Sequence, residues 1–104
     1  MDTNKFSAVT VKEGTQVNVL LQGELDLAAA SDFRALIEPI ARDVSVHLTL
    51  NLEKLSYIDS TGIGILISIL KVRNSANAQL HVENVPAHIQ RLLDMTGKTK
   101  FFRS

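Results

Sequence analysis

The sequence contains no cysteine, which removes disulfide bridges, thiolate catalysis and cysteine-based metal sites together. It carries no net charge, because eleven basic residues balance eleven acidic ones. No global basic field therefore recruits nucleic acid or an anionic membrane surface. The greasiest run, residues 63–70, includes a serine and falls far short of the roughly 20 residues needed to span a bilayer. Residues 1–10 lack the basic region and apolar stretch of a secretory signal. Internal repeats, low-complexity tracts and linkers are also missing. What remains is one soluble domain over residues 1–104, expected in the cytoplasm and without a cofactor.

The composition fits that expectation. Of 104 residues, 45% are apolar and 21% charged, the balance of an ordinary globular domain able to bury one core. The charge is unevenly spread. Residues 1–53 hold four basic and eight acidic side chains, and residues 54–104 hold seven and three. A dipolar layout of this kind orients a protein partner, although surface scatter also produces it.

Residues 9–11 and 17–22 read as two strands joined by a turn at Gly14. Residues 28–42 then read as a helix, with Ser31 or Asp32 available as its N-cap and Phe33, Leu36, Ile37 and Ile40 at helical spacing. Pro39 lies inside that pattern and is expected to kink or restart the helix. Val44, Val46, Leu48, Leu50 and Leu52 alternate with polar residues, which predicts a strand with one buried and one wet face. Residues 61–73 carry an apolar arc broader than a surface helix needs. A short strand over 79–83 and a helix over 86–95, with Gly97 as C-cap, complete the pattern. The order β-β-α-β-α-β-α predicts an α/β domain with a mixed sheet and its helices mainly on one face.

Directly before the apolar arc stands Asp59-Ser60-Thr61. Helix N-termini present unpaired N–H groups and about half a positive charge. A Ser60 hydroxyl there has two uses: it caps the helix, for typically ~1 kcal/mol, or it accepts a phosphate at a ready anion site. Gly62 and Gly64 follow at once. Glycine is about 1 kcal/mol worse than alanine inside a helix, so two of them in the first turn point to a close approach to the backbone.

No catalytic constellation accompanies this cluster. The glycine preceding a nucleophile elbow is missing, and Gly62-Ile63-Gly64 is too short for a phosphate-binding loop. His47, His81 and His88 lack metal-ligand spacing to one another. The chain does not read as an enzyme.

Gly23-Glu24-Leu25-Asp26, then Asp59-Ser60-Thr61-Gly62, then Asp94-Met95-Thr96-Gly97, in that order and spacing, resemble the STAS domain of bacterial anti-sigma factor antagonists, in particular those of the Gram-positive general-stress and sporulation switches. The resemblance implies a sheet with helices largely on one face. It also implies that Ser60 is phosphorylated by a protein that is both serine kinase and anti-sigma factor. The unphosphorylated form would bind that kinase and free the sigma factor, and a metal-dependent serine phosphatase would reset the serine. Asp26 would lie near Ser60 and assist partner binding, with Asp59, Thr61, Gly62 and Gly64 forming the rest of the contact surface. Thr61 stays open as an alternative acceptor. So does a different role, a scaffold or accessory subunit of a signalling or transport complex in which Ser60 only caps the helix. The chain departs from the family pattern at Ala30-Ser31-Asp32, where many relatives carry proline, and at Lys98, where they carry a hydrophobic residue.

Overall fold

The computed structural model describes residues 6–95. Its elements run β1 (Ser7–Glu13), β2 (Gln16–Leu25), α1 (Leu27–Arg42), β3 (His47–Ile58), α2 (Ser60–Ser75), β4 (Leu80–Glu83) and α3 (Ala87–Met95). They build one sheet in the order β1-β2-β3-β4. β1 pairs antiparallel with β2 through a two-residue turn at Gly14, whereas β2–β3 and β3–β4 are parallel. The mixed α/β sheet expected from the sequence is the one observed. The proposed Gly97 cap, and Thr96 and Gly97 of the third motif, lie outside the described residues.

One face of the sheet is buried and the other is not. Val17, Val19 and Leu21 on β2 and Leu48, Leu50 and Leu52 on β3 are buried. They join side chains from all three helices in one hydrophobic cluster. Their alternate neighbours on β3, His47, Thr49 and Asn51, are exposed or half-exposed. This is the one-sided packing that strict alternation predicts.

The alternation ends where the functional region begins. The β2–β3 register slips between Leu20 and Gln22 and again between Gly23 and Glu24, each time adding one residue to β3. Buried positions on β3 therefore pass from every second residue to every third, through Leu52, Leu55 and Ile58. The strand runs to Ile58, beyond the expected end at residue 52, because bulges let three-residue spacing stay on one face. Gly23 sits at the second slip with φ +87°, a conformation that costs a residue with a side chain dearly. At the other end Val44 is 62% exposed and lies before the strand, so it is not part of the buried alternation.

One expectation about α1 is corrected and another is narrowed. Asp26, not Ser31 or Asp32, is its N-cap, accepting the Ala29 N–H at 3.1 Å. The helix also continues through Pro39 without restarting. Pro39 and Ala35, one turn earlier, are both exposed, so the carbonyl that proline leaves without a donor lies on the solvent side of the helix. The buried stripe is Ala30, Phe33, Ile37 and Ala41, and Leu36 faces outward.

Helices α1 and α2 are pinned to each other at both ends. The Leu27 N–H donates to Asp59 Oδ2 at 3.1 Å, and Arg73 Nη1 donates to the Ala41 carbonyl at 3.3 Å. Both contacts join residues 32 apart in sequence. The two 16-residue helices therefore lie side by side, parallel and in register, with both N-termini at one end.

Candidate functional site

That shared N-terminal end carries the residues singled out from the sequence. Asp59 has extended backbone angles (φ −105°, ψ −175°) and caps α2. Its Oδ1 accepts the Gly62 N–H at 3.0 Å and its Oδ2 accepts the Leu27 N–H at 3.1 Å. The carboxylate thus satisfies first-turn N–H groups of two helices, in the place where both dipoles favour negative charge. Asp26 lies beside it as the cap of α1. Its carboxylate and that of Asp59 therefore flank one mouth, with Ser60 next in the chain.

Asp59 has taken the capping role that the sequence left open for Ser60. Ser60 is the first residue of α2, it is exposed, and its hydroxyl makes no hydrogen bond among the described residues. The physical reason is reach. A capping side chain must precede the helix and fold forward onto the N2 or N3 N–H, and Asp59 does so. Thr61 follows half-buried, one position farther into the helix.

The two glycines part company. A Cβ at Gly62 would lie 2.7 Å from the Leu25 carbonyl oxygen and 2.7 Å from Ile58 Cγ1. The close approach inferred for this glycine is real, but it is made by the chain's own β2 and β3, and Gly62 is buried. It is not a surface for a partner. Gly64 is exposed, and a Cβ added there would meet nothing within 4 Å, so it keeps the backbone accessible one turn beyond Ser60.

Two exposed apolar side chains lie near the mouth in the chain, Leu27 after Asp26 and Tyr57 at the start of the motif that holds Ser60. Leu27 is 72% exposed and follows Asp26, and Tyr57 is 48% exposed two residues before Asp59, paired with Glu24 of β2. They add apolar surface around an otherwise acidic and polar rim. Asp26 followed by Leu27-Ala28-Ala29-Ala30 is the signal in the sequence for a helix starting there.

The histidines play no part at this mouth. His47 and His81 are exposed on the open side of the sheet, and His88 Nε2 lies 2.9 Å from the Ser56 carbonyl oxygen. Among the described residues no three His, Asp or Glu side chains gather as a metal-binding group, and no helix is long and apolar enough to cross a membrane.

The far end of the helix pair is held by Arg73, which is buried. Its guanidinium donates to the carbonyls of Ala41, Asp43, Val46 and Gln79 at 2.8–3.3 Å. Burial lowers its pKa and the Asp43 carboxylate partly offsets that, yet an arginine stays protonated in a protein. A cation here complements the C-terminal ends of both helices, as Asp59 complements their N-terminal ends.

Comparison with known proteins agrees with this architecture. The family model for the STAS domain matches residues 7–104. The anti-sigma-B factor antagonist of Staphylococcus aureus (strain NCTC 8325 / PS 47) is 34% identical over 79 residues, covering 76% of this chain and 73% of that protein. The anti-sigma-B factor antagonist of Staphylococcus epidermidis is 31% identical over 88 residues, covering 85% and 82%. Among solved structures, the Bacillus cell fate determinant SpoIIAA in its phosphorylated form shares the fold, with a TM-score of 0.72 at 23% identity over 95% of this chain and 89% of that one. The chain belongs to the STAS domain family.

Proposed function

We propose that this protein is an anti-sigma factor antagonist that switches partners through Ser60. In this reading the unphosphorylated form binds an anti-sigma factor that is also a serine kinase, and so releases a sigma factor. Phosphorylation of Ser60 ends that binding and a metal-dependent serine phosphatase restores it. The names of the staphylococcal relatives support the role. The observation that carries the switch is the position of Ser60: exposed at the mouth of α2, with its hydroxyl unengaged because Asp59 caps the helix. A version in which Ser60 serves only as a cap loses its physical basis.

Phosphate on Ser60 adds roughly −1.5 to −2 charges at neutral pH. Two helix N-termini offset part of that charge, by about 0.3–1 kcal/mol each when exposed, so the domain has no reason to unfold. The charge acts on the partner. One unit charge about 5 Å from a carboxylate, at an effective dielectric near 20, is unfavourable by ~3 kcal/mol before screening. An energy of that size weakens binding by roughly 100-fold. Asp26, Asp59 and Gly64 form the accessible rim in this proposal, with Thr61 just inside it.

The test is incubation with the cognate anti-sigma factor kinase and ATP, followed by mass-spectrometric mapping with Ser60→Ala as control. One phosphate on Ser60, absent from the control, is expected. An unmodified Ser60, or phosphate on Thr61 alone, overturns the assignment.

A further inference from the structure

We infer that the groove between α1 and α2 is a second docking element for the same partner, taking an acidic segment of it; this rests on the antagonist reading above. An open depression of about 470 Å³ lies at the C-terminal half of α2, lined by Arg42, Ser68, Lys71, Val72, Ser75 and Ala76. It continues into a crevice between the helices that shares Arg42, Ser68 and Val72 and has Ile37, Ile65 and Ile69 in its walls.

The crevice is also lined by Arg34 and Glu38, which balance each other, whereas the charge of the open depression is uncompensated. Among the described residues Arg34 pairs with Glu38 at 3.8 Å, while Arg42 and Lys71 form no ion pair. Both are exposed, and each comes from a different helix, so only the parallel pairing of α1 with α2 brings them to one groove. Ser68 and Ser75 add hydroxyl donors beside them, and half-buried Val72 supplies an apolar wall. An acidic segment carrying an apolar side chain matches that lining in charge and polarity.

The groove also has a fixed relation to the switch. Lys71 lies on α2 about 16 Å beyond Ser60, at 1.5 Å rise per residue. The helix pair therefore presents acid at its mouth, from Asp26 and Asp59, and base at its far end. A partner that meets the basic groove with an acidic segment is steered into one orientation, with its catalytic face toward Ser60. Phosphorylation changes the acidic end and leaves the basic end as it was.

Binding of the full chain to its cognate anti-sigma factor, measured between about 50 and 200 mM salt, tests this. The double variant Arg42→Glu/Lys71→Glu is expected to bind about tenfold more weakly at the lower salt and to show a shallower salt dependence, with Arg42→Gln/Lys71→Gln between it and the unaltered protein. The unfolding midpoint of each variant is read alongside, and the Gln pair decides if the Glu pair fails to fold. Affinity and salt slope within about twofold of the unaltered protein, while Ser60→Asp still abolishes binding, overturn the groove and leave the antagonist reading standing. No binding by the unaltered protein removes both. If millimolar inorganic phosphate shifts the Ser68 and Lys71 amide resonances and the double variant still binds the anti-sigma factor normally, the groove is a small-anion site and the proposal fails.

Discussion

Asp59 reaches out of its own helix to hold Leu27, the first residue of α1, through a 3.1 Å hydrogen bond from the Leu27 N–H to Oδ2. The same carboxylate caps α2 through Gly62. Replacing it should therefore loosen two helix ends at once. Asp59→Ala is expected to lower stability by about 1–2 kcal/mol, the upper range for a lost cap, and Asp59→Asn by less. Urea unfolding of the three proteins checks this.

Ser60 should behave differently from its neighbour. Because its hydroxyl neither caps nor bonds another described residue, Ser60→Ala should change stability by less than about 0.5 kcal/mol. Ser60→Asp should leave the thermal midpoint within a few degrees while abolishing anti-sigma factor binding. A loss of about 1 kcal/mol in Ser60→Ala would return the capping role to this residue.

The two glycines of the first turn provide an internal contrast. Gly62→Ala forces a methyl against Leu25 and Ile58 and should destabilise by about 1–3 kcal/mol. Gly64→Ala meets open space and should stabilise the helix by up to about 1 kcal/mol. In a partner-binding assay the Gly64 variant is the informative one, since it adds bulk to the accessible rim without disturbing the core.

Arg73→Met removes the donor shared by four backbone carbonyls. Unpaired buried acceptors cost about 1–3 kcal/mol apiece, so a loss on the order of 3 kcal/mol or more is expected. Arg73→Lys should recover little, because an ammonium lacks the planar fork that reaches the carbonyls together. Amide exchange should accelerate first where α1 ends and β3 begins.

Asp43 supplies a pH dependence. Hydrogen bonds from the Ser45 hydroxyl and N–H, at 2.6 and 3.0 Å, lower its pKa below the ordinary 3.8, with smaller help from Lys12 and Arg73. A lowered folded-state pKa stabilises the fold above the unfolded value, and that contribution disappears as pH falls from 3.8 through the folded value. Asp43→Asn should flatten the acid limb of a stability–pH curve by a small amount, because the group is exposed.

Much of this molecule can be read from local pattern. Alternation over residues 44–52 predicts a sheet wet on one side, and the ordered motifs around Asp26, Ser60 and Asp94 point to the family. These features depend on residue type at short spacing, which periodicity exposes directly. Other features needed the third dimension. Three-residue spacing from Leu52 to Ile58 does not look like a strand until the β2 register shows two bulges. Arg73 stands at the end of α2 with nothing local to mark it as buried, and only the fold brings to it four carbonyls from α1, the loop after it and the loop before β4.

The sequence by itself determined that an acid, a hydroxyl and two glycines stand at a helix mouth. Only the tertiary structure decided how they divide the work. Asp59 became the cap because it alone precedes the helix and reaches Leu27 as well as Gly62. Gly62 became a packing residue because the end of β2 lies against it. Ser60 was thereby left exposed and unengaged, since hydrogen-bond geometry and close packing had already assigned the structural roles to its neighbours.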